Sequence, residues 1–331
     1  MKTILFPLIV TATAFLLTLL VTKVMLPILN RKHASQIVLE IGPSWHKSKE
    51  GTPTMGGIGF LLVALLLSIP STYLLWLWVS REAALFFALT MAYATGNGMV
   101  GIIDDLTKLN HRRNEGLTPI QKLCLQGVLA IAYLVLFAAL TDFSTSLKVP
   151  FLGISWNLGF LYYVFLFLFL VWFVNCGNLT DGIDGLATSV AGWIGLFFLI
   201  AGILLTRSEV SLLGGILIGC GSGFFLFNRH PAKLFMGDTG SLFFGALAAA
   251  TSCIMGTPLL FFLVGGIYLW EGLSVILQVL YFKATKGKRL FLMAPYHHHM
   301  EKKGWSERQI VLLFSLITIF LSLIATLGVA I

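Results

Sequence analysis

Five aspartates border long apolar runs, at positions where carboxylates could hold a metal ion. Two are adjacent in GIIDDLTK, two lie one helical turn apart in NLTDGIDGLA, and one follows a glycine in KLFMGDTGS; they are Asp104, Asp105, Asp181, Asp184 and Asp238. Paired carboxylates can hold Mg²⁺ against a phosphate group. The alternative for Asp104 and Asp105 is a solvated helix end. For Asp238 it is an N-cap, because aspartate is a favoured capping residue.

Polar and cationic residues near these aspartates suit a ligand that contains phosphate. Lys108 lies one turn after the aspartate pair, and Lys49 and Thr52 precede an apolar run in HKSKEGTPTMGG. Gly182 would let a ligand approach the backbone closely, and exposed N–H groups at a helix start suit an anion or a carbonyl group. The ring of Phe235 offers a flat face for a nucleobase. Together these residues favour a nucleotide or a diphosphate as ligand.

Three consecutive histidines, His297, His298 and His299, lie in APYHHHMEKKG between two apolar stretches. Three adjacent side chains cannot all point in one direction, so we do not expect a zinc site with three imidazole ligands. Imidazole rings that donate hydrogen bonds to a diphosphate are the better interpretation.

The apolar sequence between these motifs predicts the elements that position them. The 331 residues are 57% hydrophobic and 11% charged, whereas a soluble domain is about 25% charged. A membrane-spanning helix needs about 20 apolar residues, and ten runs qualify. They cover residues 4–29, 55–79, 83–103, 118–141, 158–175, 186–206, 211–227, 239–255, 258–282 and 308–331. We therefore expect an all-α polytopic membrane protein with ten transmembrane helices, forming one integral-membrane domain over residues 1–331.

The basic residues predict how these helices are oriented. Of the 22 lysines and arginines, 18 lie in the connections after odd-numbered helices or at the adjoining helix ends. The other four are Lys2, Arg81, Lys148 and Arg207. Cytoplasmic loops carry the excess of lysine and arginine, so we expect these connections in the cytoplasm and both termini outside. All seven histidines and every aspartate except Asp142 fall on the same side. The chemistry is therefore expected to face the cytoplasm.

Two segments depart from the regular helical pattern. The glycine pair at 265–266 and the polar Glu271 interrupt the ninth run, so we expect that helix to be broken or bent, with close helix packing as the alternative. The outer loop at 142–157 alternates apolar residues around a proline and a glycine, which predicts a small hairpin.

Acids, cations and an aromatic ring at cytoplasmic helix ends indicate an Mg²⁺-assisted phosphoryl reaction between a soluble anion and a lipid. Over essentially the whole chain, the motifs resemble those of the phospho-N-acetylmuramoyl-pentapeptide translocases. This family belongs to the polyprenyl-phosphate N-acetylhexosamine-1-phosphate transferase superfamily. The motifs are, in order, GTPTMGG, GIIDDLTK, PIQKLCLQ, NLTDGIDGLA, FNRHPAKLFMGDTGS and APYHHHME. The aspartate pair and NLTDGIDG are typical of the superfamily, and TPTMGG and the histidine triplet of the muramoyl branch.

The resemblance implies a reaction and a setting. Phospho-N-acetylmuramoyl-pentapeptide would pass from its UDP-linked precursor to undecaprenyl phosphate, giving lipid I and UMP. This is a step of peptidoglycan synthesis, and so of cell wall biogenesis, cell shape and cell division. The resemblance also implies an Mg²⁺ cofactor, a homodimer in the bacterial inner membrane, and nucleoside inhibitors such as tunicamycin. No nucleic acid is expected as a partner.

The resemblance further implies roles for single residues. Asp238 matches the Mg²⁺ ligand, and His297 matches the required histidine. Asp104 and Asp105 match the acidic pair near the lipid phosphate, and Asp104 is expected to be the base or the activator of that phosphate. The implied uridine pocket consists of Gly182, Ile183, Asp184, Asn228 and Phe235. The implied contacts to the diphosphate and sugar phosphate are Lys49, Thr52, Lys108, Lys122, Asn178, Asp181, His298 and His299.

Two other functions fit parts of the sequence. A GlcNAc-1-phosphate transferase that uses UDP-GlcNAc would share the superfamily motifs, although TPTMGG and the histidine triplet argue against it. An ion-coupled transporter could place Asp104, Asp105 and Glu271 on an ion path. Transporter sites lie near the bilayer midplane, and of these residues only Glu271 is deep in an apolar run. The sequence does not decide between one-step transfer and a covalent aspartyl intermediate, and it gives Glu271 no role.

Overall fold

The computed structural model of this chain describes residues 2–31, 49, 51–111, 116–141 and 144–329. Asp142 and part of the predicted cytoplasmic charge lie outside them, namely Lys32, His33, His46, Lys47, Arg112 and Arg113. The described residues form α1 (Lys2–Arg31), α2 (Gly57–Trp78), α3 (Arg81–His111), α4 (Pro119–Leu140), β1 (Ser146–Val149), β2 (Ile154–Asn157), α5 (Phe160–Leu179), α6 (Leu186–Leu204), α7 (Ser208–Asn228), α8 (Gly237–Ile254), α9 (Phe261–Val264), α10 (Gly266–Ala284), α11 (Tyr296–Lys302) and α12 (Glu307–Val329).

The long helices are apolar on the outside of the bundle. Within the described ranges, nine of them are long and apolar enough to cross a membrane: α1 to α7, α10 and α12. Large apolar side chains such as Ile69, Val128 and Phe320 are exposed on their outer surfaces. A continuous apolar surface of this kind is matched by lipid and not by water. The chain is therefore a multi-pass membrane protein.

Helix α8 lies at the centre of the bundle, where α2, α3, α5, α6 and α7 all pack against it. Every residue from Thr239 to Ile254 is buried. This helix coincides with the eighth predicted run, but it is not one of the nine helices that qualify as spans among the described residues. Its small and weakly polar side chains suit contact with other helices better than contact with lipid. The count of ten transmembrane helices stays a prediction.

Glycines bring three helices into backbone contact with α8. Gly57 of α2 lies against Gly240, and Gly101 of α3 lies against the first turn of α8. A Cβ atom on Gly177 of α5 would come within 2.8 Å of the Cα atom of Gly245. Small residues permit such close approach between membrane helices. As a result, the C-terminal ends of α3 and α5 converge on the start of α8, where the motifs GIIDDLTK, NLTDGIDGLA and KLFMGDTGS meet.

The ninth apolar run forms three separate pieces. A 3₁₀ turn covers Pro258–Leu260, α9 follows it directly, and Gly265 separates α9 from α10 with φ −85° and ψ 22°. Glu271 lies in the second turn of α10 and is fully buried.

The predicted hairpin is confirmed in the residues from 144 onwards. Strands β1 and β2 are antiparallel, with Leu147 opposite Trp156 and Val149 opposite Ile154. The protein is therefore nearly all-α and not wholly so.

Candidate active site

Four helices bring two aspartates, two lysines and an asparagine together, and we call this group the acid–lysine cluster: Asp104, Lys108, Lys122, Asn178 and Asp238. The Nζ atom of Lys108 lies 2.6 Å from Asp104 Oδ2 and 2.9 Å from Asp238 Oδ2. Lys122 Nζ lies 2.6 Å from Asp238 Oδ2 and 3.4 Å from Asp104 Oδ2. Asn178 Nδ2 donates to Asp238 Oδ1 at 2.8 Å. Charge is thus concentrated around the carboxylate of Asp238.

Helix geometry explains how the lysines reach this position. Lys108 follows Asp104 by one helical turn, so both side chains lie on one face of α3. Lys122 lies in the first turn of α4, which starts with a capping box formed by Thr118 and Gln121. A cation is unfavourable at a helix N-terminus. The carboxylates of Asp104 and Asp238 offset that cost.

Asp105 points to a different partner from its neighbour Asp104. Its Oδ1 accepts from the N–H group of Asp238 at 3.0 Å, and its Oδ2 accepts from the N–H and O–H groups of Thr239 at 3.0 and 2.7 Å. A carboxylate from α3 therefore caps the positive end of α8. Gly237 precedes these groups with φ +70°, and a Cβ there would lie 2.5 Å from Asp105 Oδ2. Only glycine fits between the two helices.

The carboxylates of Asp104, Asp105 and Asp238 form a donor set that fits a divalent cation. Each offers one oxygen, and these oxygens all lie within 4.8 Å of one another. Mg²⁺ binds through carboxylate oxygens. Nearby, burial raises the pKa of Asp181 to about 8, and the negative charges of Asp238, Asp105 and Asp184 contribute to the rise. An additional cation would relieve this accumulation of negative charge.

A second group of ionic side chains holds the turn at residues 180–185, and we call it the turn-clamp cluster: Lys49, Asp184, His230 and Glu307. Lys49 Nζ lies 2.7 Å from Asp184 Oδ1 and 2.8 Å from Glu307 Oε2. Asp184 Oδ2 accepts from the N–H group of Ala232 at 2.9 Å and lies 3.1 Å from His230 Nδ1. The Asp184 N–H group donates to Glu307 Oε2 at 2.8 Å. Both carboxylate oxygens of Asp184 therefore have partners.

Asn228 fixes the other end of the same turn. Its Oδ1 accepts from the Gly185 N–H group at 3.1 Å and from the Thr188 hydroxyl at 3.2 Å. Its Nδ2 donates to the carbonyl oxygen of Leu234 at 3.1 Å. Ile183, inside the turn, is buried. The side chains of Asn228 and Ile183 therefore support the turn from within.

The segment before α2 packs against the segment that carries Phe235. The Phe235 N–H group donates to the Pro53 carbonyl oxygen at 2.9 Å, and the Gly56 N–H group donates back to Phe235 at 2.9 Å. Thr52 is held by a hydrogen bond from its own N–H group to the Lys49 carbonyl oxygen at 3.1 Å. Phe235 and Thr52 are both partly exposed, so both can contact a ligand.

The three histidines of α11 have three different environments. His297 is fully buried, and its Nδ1 lies 3.0 Å from Glu271 Oε2. His298 Nδ1 lies 2.6 Å from Glu301 Oε2 on the same helix. His299 Nδ1 accepts from the Leu292 N–H group at 3.0 Å. Burial lowers the pKa of His299, with a further contribution from the charge of Lys303.

Sequence reasoning missed several partners of these residues. Glu307 lies outside every motif, and His230 and Glu301 lie within FNRHPAKLFMGDTGS and APYHHHME but were given no role of their own. Glu271 did give a signal, as a lone acid inside an apolar run, but its partner on α11 could not be identified. The turn at residues 180–185 connects the groups: Asp181 lies near the acid–lysine cluster, Asp184 belongs to the turn-clamp cluster, and His297 contacts the position between them.

Comparison with known proteins gives a consistent result. The model of the family described as glycosyl transferase family 4 matches residues 85–256. A phospho-N-acetylmuramoyl-pentapeptide-transferase of Clostridium acetobutylicum is 42% identical over 316 residues, which is 95% of this chain and 96% of the relative. Proteins of the same description from Clostridioides difficile and Listeria monocytogenes are each 39% identical, over 319 and 308 residues. These alignments cover 96% and 92% of this chain, and 95% and 92% of the relatives.

Proposed function

Because the chain belongs to glycosyl transferase family 4 and to the phospho-N-acetylmuramoyl-pentapeptide-transferases, we propose that it transfers phospho-N-acetylmuramoyl-pentapeptide from UDP to undecaprenyl phosphate. The products are lipid I and UMP, and the reaction belongs to peptidoglycan synthesis. One phosphoanhydride replaces another, so the reaction is nearly thermoneutral and reversible. The observation that carries this proposal is the acid–lysine cluster, where carboxylates, ammonium groups and an amide from four helices meet.

Mg²⁺ fits the carboxylates of this cluster. Asp238 is the proposed ligand, because it is the most accessible of the three acids and its carboxylate lies at the centre of the cluster. Asp104 offers a second oxygen nearby, whereas both oxygens of Asp105 already accept from α8. When bound, the cation would neutralise charge on the diphosphate and on the departing UMP. Asp105 then acts by fixing the first turn of α8, and with it the position of Asp238.

The lysines of the cluster are the proposed contacts to the diphosphate. Lys108 and Lys122 now pair with carboxylates, and an incoming diphosphate offers them similar anionic oxygens. Asn178 holds Asp238 by one oxygen and so leaves its other oxygen directed at the lysines. Asp104 is the proposed acceptor of any proton left on the lipid phosphate. Asp181, in the adjoining turn, is proposed to face the same diphosphate.

The turn at residues 180–185 and its surroundings are the proposed uridine pocket. The missing side chain of Gly182, expected from the sequence to admit a ligand, instead makes room for the His297 ring. Phe235 can stack on uracil. Asp184 and Asn228 are engaged with neighbouring backbone groups and keep the turn rigid. Lys49 and Thr52 border the pocket on the side of α2, and His297, His298 and His299 border it on the side of α11. Ile183 supports the turn from its buried side.

The setting of the enzyme is part of the proposal. We place the active site on the cytoplasmic side of the bacterial inner membrane, with both termini outside, because nearly all lysines and arginines fall on that side. In this arrangement α8 also spans the membrane, which brings the number of transmembrane helices to ten, and the helix predicted over residues 258–282 is bent at Gly265. The whole chain forms one transferase domain. A homodimer and inhibition by nucleosides such as tunicamycin complete the proposal.

The test is an assay of purified protein with Mg²⁺, undecaprenyl phosphate and one of two UDP-sugars. We expect UMP and a lipid-linked product from UDP-N-acetylmuramoyl-pentapeptide, and no turnover of UDP-GlcNAc. Turnover of UDP-GlcNAc alone would assign the chain to the other branch of the superfamily. Metal-dependent movement of an ion across vesicles without UMP release would favour a transporter.

A further inference from the structure

Glu271 of α10 and His297 of α11 form a pair that is closed off from solvent. Both side chains have an exposed fraction of 0%. Glu271 Oε1 accepts from the backbone N–H group of His297 at 3.2 Å, and Oε2 lies 3.0 Å from His297 Nδ1. A buried carboxylate is costly unless its oxygens are paired. Here one histidine supplies hydrogen bonds to both oxygens, which fixes both the ring and the backbone that carries it.

This contact determines which nitrogen of the ring is available. A carboxylate only accepts hydrogen bonds, so Nδ1 carries a proton and donates a hydrogen bond to Glu271. The other nitrogen, Nε2, is buried and has no hydrogen-bond partner among the described residues. Buried polar atoms are nearly always paired. An unpaired Nε2 is therefore expected to meet an atom that is not part of the chain.

The position of Nε2 indicates which ligand that atom belongs to. A Cβ atom on Gly182 would collide with His297 Nε2, so the ring edge lies directly over the turn at residues 180–185. The same turn carries Asp181 beside the acid–lysine cluster and Asp184 in the turn-clamp cluster. Nε2 therefore lies against the turn that joins the proposed uridine pocket to the proposed diphosphate site.

We propose that Glu271 is a positioning residue of the transfer site. It holds the His297 ring with Nδ1 protonated, so that Nε2 faces a hydrogen-bonding atom of the sugar nucleotide bound at the 180–185 turn. This inference rests on the proposed function for the identity of the ligand. It follows the logic of other buried carboxylate–histidine pairs, in which the carboxylate fixes the tautomer and orientation of the ring. Glu271 itself does not contact the substrate.

Neighbouring histidines show why the pair is distinctive. His298 pairs with Glu301 three residues along the same short helix, and this pair is partly exposed. His299 packs against Phe291 and Tyr296 and accepts from a backbone group. His297 is tied to a different helix, 26 residues away in sequence. Its orientation therefore depends on α10 as well as on α11.

The test is a double-mutant cycle with Glu271→Gln and His297→Gln in the full-length protein. Turnover and affinity for UDP-N-acetylmuramoyl-pentapeptide are measured for each variant, with the melting temperature as a check on folding. We expect Glu271→Gln alone to lower turnover by about 10- to 100-fold, the range for loss of a hydrogen bond to a charged group. In the His297→Gln background the same change should cost less than about twofold, because Glu271 then has no ring to position.

Two further variants complete the design. Glu271→Asp keeps both carboxylate oxygens on a shorter side chain, and we expect an intermediate loss; it replaces Glu271→Gln in the cycle if the glutamine variant does not fold. Glu82→Gln removes an exposed acid at the opposite end of α3 and should leave turnover unchanged. The inference is overturned if Glu271→Gln retains wild-type turnover and affinity, or if its loss is undiminished in the His297→Gln background. Should wild-type protein bind the UDP-sugar without releasing UMP, the proposed function fails, while the affinity cycle still tests the pair.

Discussion

The acid–lysine cluster and the turn-clamp cluster both pair their carboxylates fully, but they differ in the partners of the central aspartate. In the turn-clamp cluster, Asp184 is 2% exposed, and backbone N–H groups supplement the ionic contacts of Asp184 and Glu307. In the acid–lysine cluster, Asp238 remains 16% exposed and two flexible lysines share its Oδ2. Backbone groups therefore hold Asp184 in place, whereas the lysine contacts of Asp238 Oδ2 can be exchanged for contacts to a ligand. Proximity of acids and bases alone therefore does not identify a reaction centre.

The largest effect is expected from Asp238→Asn. The change removes the charge that both lysines share and the proposed metal ligand, while it keeps the size of the side chain. We expect UMP release to fall by about 100- to 1000-fold, the usual cost of removing one preorganised electrostatic group. Initial rates at saturating substrates measure this. Wild-type rates in this variant would show that the acid–lysine cluster is not the reaction centre.

A smaller effect is expected from Lys122→Gln. Lys122 is the lysine nearest to Asp238, at 2.6 Å, and its proposed ligand is a diphosphate oxygen. Loss of one charged hydrogen bond should cost about 10- to 100-fold in kcat/KM for the UDP-sugar. If Lys122 binds the substrate equally in the ground and transition states, its loss raises KM. If the contact strengthens during transfer, its loss lowers kcat. An unchanged kcat/KM would remove Lys122 from the site.

The smallest effect on activity is expected from Glu307→Gln in the turn-clamp cluster. Glu307 accepts from both Lys49 and the backbone of Asp184, and breaking a partly buried ionic contact from one side leaves its partner uncompensated. We expect the melting temperature in detergent to fall by several degrees, while kcat changes by less than about threefold. A collapse of kcat with unchanged stability would mean that the turn-clamp cluster takes part in the chemistry.

Sequence alone predicted the helices well, because long apolar runs in a membrane protein have few alternatives. It placed the ends less well. The third run was predicted to end at residue 103, whereas α3 continues to His111 and carries Asp104 and Lys108 on about two additional turns. Hydropathy does not register a helix that continues beyond the apolar layer. The seven-residue α11 was not predicted either, because its sequence is polar and hydropathy detects only apolar helices.

Pairings between helices could not be predicted from the sequence. Lys49 and Glu307 are 258 residues apart, and nothing local in either segment indicates the contact. The sequence also treated Asp104 and Asp105 as one pair. Adjacent side chains on a helix point about 100° apart, so Asp104 faces the lysines and Asp105 faces the N-terminus of α8. Such a division follows only from the packing of α3 on α8.

Metal binding tests the contrast between the two clusters most directly. Mn²⁺ can replace Mg²⁺ in a titration followed by electron paramagnetic resonance, with the UDP-linked substrate present and the lipid omitted. We predict that wild-type protein and Glu307→Gln bind the ion with similar affinity, and that Asp238→Asn binds it at least about tenfold more weakly, because a carboxylate ligand is lost. Wild-type affinity in Asp238→Asn, together with loss of binding in Glu307→Gln, would contradict the account and move the metal to the turn-clamp cluster.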